Sequence, residues 1–157
     1  MAMGFESDYT SLVLCKIKEK QTQVTYKSCG NINDISIVVE ETNRSKSITL
    51  THHDKHYPQK YEIAVSYDPI IALGKKIEWR YRYKNSNTPL AMIVRVDVNE
   101  DQGQKHEKYS YLVVSKIDKH GICVVGKISP QTHQNEMARK MAEIASELPC
   151  VLSENTE

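Results

Sequence analysis

No apolar run in this sequence approaches the roughly 18 residues that a membrane-spanning helix needs, so the chain supplies no transmembrane segment. An excess of one charge is also missing. The 21 lysines and arginines stand against 20 acidic residues, a formal net charge of +1, which leaves no global field to draw the chain to nucleic acid or anionic membranes. Met1 to Tyr9 lacks the charged and apolar regions of a signal peptide. Glycine is scarce, at six residues, and no G-x-S-x-G, H-E-x-x-H, Walker or dinucleotide-binding motif occurs. No C-x-x-C spacing suggests a metal site. The adjacent carboxylates Glu40/Glu41 and Glu100/Asp101 would point to opposite faces of a strand, the wrong geometry for paired acid and base work.

The composition that remains is foldable. With 39% hydrophobic and 26% charged residues in 157, one domain over residues 1–152 is expected, followed by a polar, frayed tail at 153–157. Nine tyrosines accompany a single Trp and a single Phe, a bias that suits half-buried sheet surfaces.

Alternation then predicts the strands. Ile77, Trp79, Tyr81 and Tyr83 fall on one face of residues 76–84, with Lys76, Glu78, Arg80, Arg82 and Lys84 on the other. Folding back through Asn85 to Pro89 sets Tyr83 against Leu90, Tyr81 against Met92, Trp79 against Val94 and Ile77 against Val96, with Glu78 facing Arg95 and Lys76 facing Asp97. Returning across a loop at Asn99 to His106 places Tyr109 on Val96, Tyr111 on Val94 and Val113 on Met92, with Asp97 facing Lys108. A turn at Asp118 to Gly121 leads into a strand from Ile122 to Ile128 that is apolar on both faces, as one covered by sheet and helix should be. Upstream, Ile37 and Val39 pair with Leu50 and Ile48, and Glu41 with Lys46. Tyr61, Ile63, Val65 and Tyr67 read as another strand, and Ile70, Ile71 and Leu73 as a connection tucked into the core.

A helix over 130–148 follows, capped by Ser129, opened by Pro130 and stopped by Pro149, with Met137, Met141, Ile144, Ala145 and Leu148 as its apolar stripe. The expected fold is α+β with β dominant: about nine antiparallel strands in a meander, as a curved sheet, sandwich or half-barrel, with this C-terminal amphipathic helix packed on it.

Four cysteines permit three pairings. Cys15 and Cys29 flank a hairpin centred near Thr22 and would lie opposite each other. From Cys123 a strand runs on for roughly 23 Å and the helix returns about 25 Å, which brings Cys150 back beside Cys123. Two such disulfides at the two ends of the chain point to a periplasmic or secreted protein. Four buried thiols in a cytoplasmic protein are the alternative.

Few constellations suggest chemistry. In an extended loop His52, Asp54 and His56 would project to one side, a donor set suited to Zn²⁺ or Cu²⁺ and to a metal-dependent hydrolase. Asp97 to Gly103 begins like a calcium-binding loop, but its glycine comes one residue late and its twelfth position is Lys108 rather than Glu. The basic, aromatic strand 75–84 resembles a single-strand nucleic-acid ribbon, yet its rings face Val94 and Met92, which argues against nucleic acid and leaves Arg80 and Arg82 as an anion-binding face. Trp79, Tyr81, Tyr109 and Tyr111 could line a β-cup that carries a small apolar ligand. Asn43-Arg44-Ser45 is a glycosylation sequon at a hairpin tip. No cofactor is implied. The leading expectation is a non-catalytic extracytoplasmic domain that binds a protein or a small ligand, ahead of the carrier and the hydrolase.

Overall fold

Residues 4–83, 87–102 and 105–152 are described by a computed structural model. In chain order the elements are β1 (Glu6–Ser11), β2 (Lys16–Lys20), β3 (Val24–Ile32), β4 (Ile35–Thr42), β5 (Lys46–His52), β6 (Lys55–Pro58), α1 (Tyr61–Val65), β7 (Ile70–Leu73), β8 (Lys76–Tyr81), β9 (Ala91–Gln102), β10 (Lys105–Asp118), β11 (Gly121–Ile128), α2 (Gln134–Glu143) and a 3-10 turn at Ala145–Glu147. The strands form two antiparallel sheets rather than one. A five-stranded sheet runs β2-β3-β4-β5-β6, and a six-stranded sheet runs β1-β8-β9-β10-β11 with β7 sharing the β8 side of β9.

Alternation explains why these sheets meet. Ile35, Ile37 and Val39 of β4 and Ile48 and Leu50 of β5 turn one face of the smaller sheet inward, against Ile77, Trp79, Met92, Val94, Val96, Tyr111 and Val113 of the larger. The opposite face of the larger sheet is also apolar at Ala91, Ile93, Leu112, Val114 and Ile128, and α2 covers it through Ala138 and Ala142. The central hairpin β9–β10 is therefore buried on both sides. Trp79 is wholly buried, its indole N–H donating to the Thr10 hydroxyl at 2.8 Å.

The β4–β5 register is as expected, with Ile37 against Leu50, Val39 against Ile48 and Glu41 against Lys46. Around β9 the expected registers are displaced by two residues: Trp79 pairs with Met92, Tyr111 with Val96 and Val113 with Val94. A slip of two keeps every side chain on its face, so the apolar pattern cannot detect it. Its source lies in the connections. β8 stops at Tyr81, and the strands expected to end near Asn99 and His106 run on to Gln102 and from Lys105. The Lys108 ammonium still reaches Asp97 diagonally, at 3.3 Å.

Tyr61 to Val65 is a helical turn, not a strand. Tyr61 and Val65 are four apart, a spacing that places them on one side of either structure, and both are buried. Ile63 and Tyr67, which a strand would bury with them, are exposed. The carbonyl of Lys60 accepts from the amides of Ile63 and Ala64, and positive φ at Lys60 and Tyr67 breaks the chain out of extended geometry at both ends. Ile70 to Leu73 is a strand that buries Ile70 completely.

α2 starts at Gln134, not at Pro130, after a left-handed residue at His133. The Gln134 side chain sets the start: its amide donates to the carbonyls of Ser110 and Ile128, and its oxygen accepts from Arg95. The buried residues are Ala138, Ala142 and Ala145; of the expected stripe Ala145 is buried and Met141 and Leu148 are half-buried, whereas Met137 and Ile144 are exposed. Small side chains let the backbone approach the sheet, and Gly126 leaves room for Met141, whose sulfur lies 2.7 Å from where a Cβ would stand. Three methyl groups bury little area, roughly 0.8 kcal/mol each. The helix orientation therefore leans on charged hydrogen bonds, worth about 1.5–3 kcal/mol apiece: Arg80 to Glu143 at 2.7 Å and Arg139 to Glu78 at 2.8 Å.

An Ala142→Leu substitution should lift α2 off the sheet and cost about 1–3 kcal/mol in urea unfolding. Met137→Ala, on the face of the expected stripe, should change stability by under about 0.5 kcal/mol.

Candidate functional site at the seam between the sheets

β6 is an edge of the smaller sheet and β11 an edge of the larger. They border a cleft of about 580 Å³. Its floor is a polar tie built on Gln59, which is almost wholly buried. The Gln59 amide donates to the carbonyls of Tyr57 (2.9 Å) and Ile122 (3.4 Å), its side-chain oxygen accepts from Ser115 at 2.6 Å, and its backbone N–H donates to Ile48. One side chain thus links both sheets. Gly121, at φ 141, sits under the Tyr57 ring, where a Cβ would come within 2.7 Å of it. Glycine is required there by conformation and by space.

The far wall depends on a disulfide. Cys123 and Cys150 are bonded, their Cα atoms 5.6 Å apart, and Val151 donates to the carbonyl of Val124. This lays the segment after α2 along β11 and brings Leu152 to the cleft. Cys15 and Cys29 are bonded across the first hairpin, in line with the Lys16–Ser28 register beside them.

Lysines outnumber carboxylates in the lining: Lys55, Lys60 and Lys116, beside the imidazoles of His56 and His120, share it with one carboxylate, Asp118. Asp118 is engaged, accepting from the His120 backbone N–H at 2.8 Å and lying 3.9 Å from the Lys116 ammonium. Lys116 also donates to the carbonyl of Leu148 at 2.7 Å.

Of the residues singled out from sequence, His56 and the bonded Cys123 and Cys150 line this cleft; the aromatic and arginine residues lie elsewhere. Trp79 and Tyr111 are core residues. Tyr81 and Tyr109 pack at the core margin, where the Tyr81 oxygen accepts from Asn33 and the Tyr109 hydroxyl donates to Glu107. Burial and, after it, the Asp8 carboxylate push the Tyr81 phenol above its ordinary value. None of the four lines this cleft or the second cavity, of about 470 Å³, near Gly74 and Arg95. The open anion-binding face expected at Arg80 and Arg82 is closed at Arg80, whose guanidinium is held by Glu143 and donates to Ser7 at 2.9 Å. Arg82 is exposed beyond the end of β8.

The expected donor set of His52, Asp54 and His56 does not assemble, because the segment is not extended. His53 and Asp54, both at positive φ, are the two central residues of a tight turn between β5 and β6. His52 then pairs with Lys55 and His56 with Thr51, and these successive pairs face opposite sides of the sheet. His56 Nδ1 is hydrogen-bonded to the Thr51 hydroxyl at 2.8 Å. His52 instead meets His53 and Asp34.

No protein-family model, curated protein or solved structure matches this chain. The site must be read from its own chemistry.

Gln59 and Asp34 were missed by sequence reasoning, and His53, within the histidine cluster, was not among the expected ligands. The readable signal was the hairpin Leu50–Tyr57, in which apolar residues seven apart flank a His-Asp pair able to occupy positive φ.

Beneath α2, Glu78 accepts from Arg139 and, at 2.6 Å, from the Ser7 hydroxyl. Burial pushes its carboxyl up, but hydrogen bonds from Arg139 and Ser7 and the charges of Arg139 and Arg80 outweigh this and hold it below the usual value. A carboxylate whose pKa is lowered on folding stabilises the fold above its unfolded pKa, near 4.3, and loses that contribution as pH falls through the folded value. Glu78→Gln should cost about 2 kcal/mol near pH 7. The gap to the unsubstituted protein should narrow as pH falls past the unfolded value and close as it falls through the lower folded one, as read from thermal unfolding across pH.

Proposed function

We propose that this chain is a non-catalytic binding domain of an oxidising, extracytoplasmic compartment, and that it takes a small organic anion in the cleft between β6 and β11. The observation that carries this reading is the lining itself. Apolar walls from Tyr57, Ile122, Val124 and Leu152 stand beside Lys55, Lys60, two histidines and the Lys116–Asp118 ion pair, so positive charge is in excess. A volume of about 580 Å³ lies within the range of ligand sites, about 300–1,000 Å³. Such a surface suits a ligand with an apolar body and a carboxylate or phosphate head.

Catalysis draws little support from the same residues. Cys123 and Cys150 in the lining are joined, so neither offers a thiolate. Asp118 has no second carboxylate beside it in the lining to share acid and base roles. Two disulfides favour a compartment in which such bonds persist.

The test is titration with octanoate, phenyl phosphate and octanol, followed by NMR chemical-shift perturbation. Octanoate and phenyl phosphate should shift resonances of β6 and of the Asp118 to Val124 segment. Lys55→Glu should weaken both by on the order of fivefold. Octanol binding as well as octanoate, or shifts that map away from the cleft, would overturn the reading; the former would favour an apolar carrier.

A further inference from the structure

We propose that Asp34, His52 and His53 form a binding site for a divalent d-block cation of the Zn²⁺ class, a clamp between two hairpin turns and distinct from the cleft. Two features of the fold create it. The turn between β3 and β4 consists of Asn33 and Asp34, and the turn between β5 and β6 of His53 and Asp54; both loops are two residues long. The β4–β5 register pairs Ile35 with His52, so the Asp34 carboxylate is delivered to the end of β5.

The second feature is backbone conformation. Neighbouring residues on a strand point to opposite faces, and His52 and His53 would diverge if β5 continued. Positive φ at His53 turns its ring back instead, to a centroid separation of 3.9 Å from His52. Both Nε2 atoms then address one carboxylate: His52 to Oδ1 at 3.2 Å and His53 to Oδ2 at 3.8 Å. The donor atoms of all three residues lie within 4.8 Å of one another.

Two imidazole nitrogens and a carboxylate oxygen are donors that Zn²⁺ accepts. Tetrahedral Zn²⁺ with donors at about 2.0–2.2 Å holds them roughly 3.3–3.5 Å apart, a spacing this trio reaches by small side-chain rotations. The His52 side chain is only 11% exposed and anchors the set, while His53 at 75% and Asp34 at 56% are free to adjust and leave a coordination position open to water. The competing arrangement is a hydrogen-bonded trio in which each ring donates one N–H to the carboxylate. It needs no cation and would not discriminate among metals. Because Lys55 and His56 follow directly after the turn, a bound ion would also stiffen the rim of the cleft.

The experiment uses the full chain with disulfides intact, freed of metal by chelation, then titrated with Zn²⁺ by calorimetry and with Co²⁺ by visible absorption. One ion per chain should bind, with d–d bands of a low-coordinate site. Asp34→Asn and His53→Asn, the latter keeping a residue tolerant of positive φ, should each weaken Zn²⁺ at least tenfold while unfolding, without metal, near the parent temperature. Asp54→Asn should bind like the parent. The proposal is overturned by the absence of saturable one-to-one binding, by Asp34→Asn binding as tightly as the parent, or by Asp54→Asn losing affinity instead.

Discussion

Burial of the β9–β10 hairpin on both faces is the constraint on which the rest of this structure depends. A strand covered on one side can trade residues freely on the other; these two cannot. Met92, Val94 and Val96 face the smaller sheet while Ala91 and Ile93 face α2, and Tyr111 and Val113 alternate with Leu112 and Val114 in the same way. Each methylene buried on either face contributes roughly 0.8 kcal/mol, and a one-residue slip would exchange two matched surfaces at once. The hairpin fixes where the smaller sheet and the helix must sit, and through them where the seam opens.

Polar groups set the details that apolar burial leaves undetermined. Gln59 ties β6 to β10 and β11 at the closed floor of the seam. On the other face of the larger sheet, Arg80 with Glu143 and Glu78 with Arg139 fix the angular position of a helix whose buried residues are alanines. The two disulfides act at the margins, one across the first hairpin and one holding the segment after α2 against β11. The cleft lies between two sheet edges that these ties hold in place, and its lysines come from β6, the start of α1 and β10.

Much of this was legible in the sequence wherever the signal has a period of two. The faces of Trp79, Val94 and Val113 follow from alternation, and the β4–β5 register from its charge and apolar pairs together. Alternation cannot count, however. Registers displaced by two residues at β8–β9 and β9–β10 satisfy it equally well, and the choice was made by where strands end. A spacing of four is ambiguous between helix and strand, which is why Tyr61 and Val65 read as a strand. Alanine carries little hydrophobic weight, so the buried stripe at Ala138 and Ala142 was hidden behind a more apolar line in which Met137 and Ile144 are exposed. The histidines were legible as a cluster but not as a geometry. A tight turn at His53 and Asp54 sends His52 and His56 to opposite faces and recruits Asp34, eighteen positions earlier.

Hydrogen exchange in the folded protein tests the two-sided burial most directly. Amides of Ile93, Val94, Val113 and Val114 should exchange only through global unfolding, making them the slowest in the chain, with β2 and the Lys119-His120 turn exchanging far faster. Exchange of the β9–β10 amides at the rate of β2, with protection centred on the smaller sheet instead, would contradict the account.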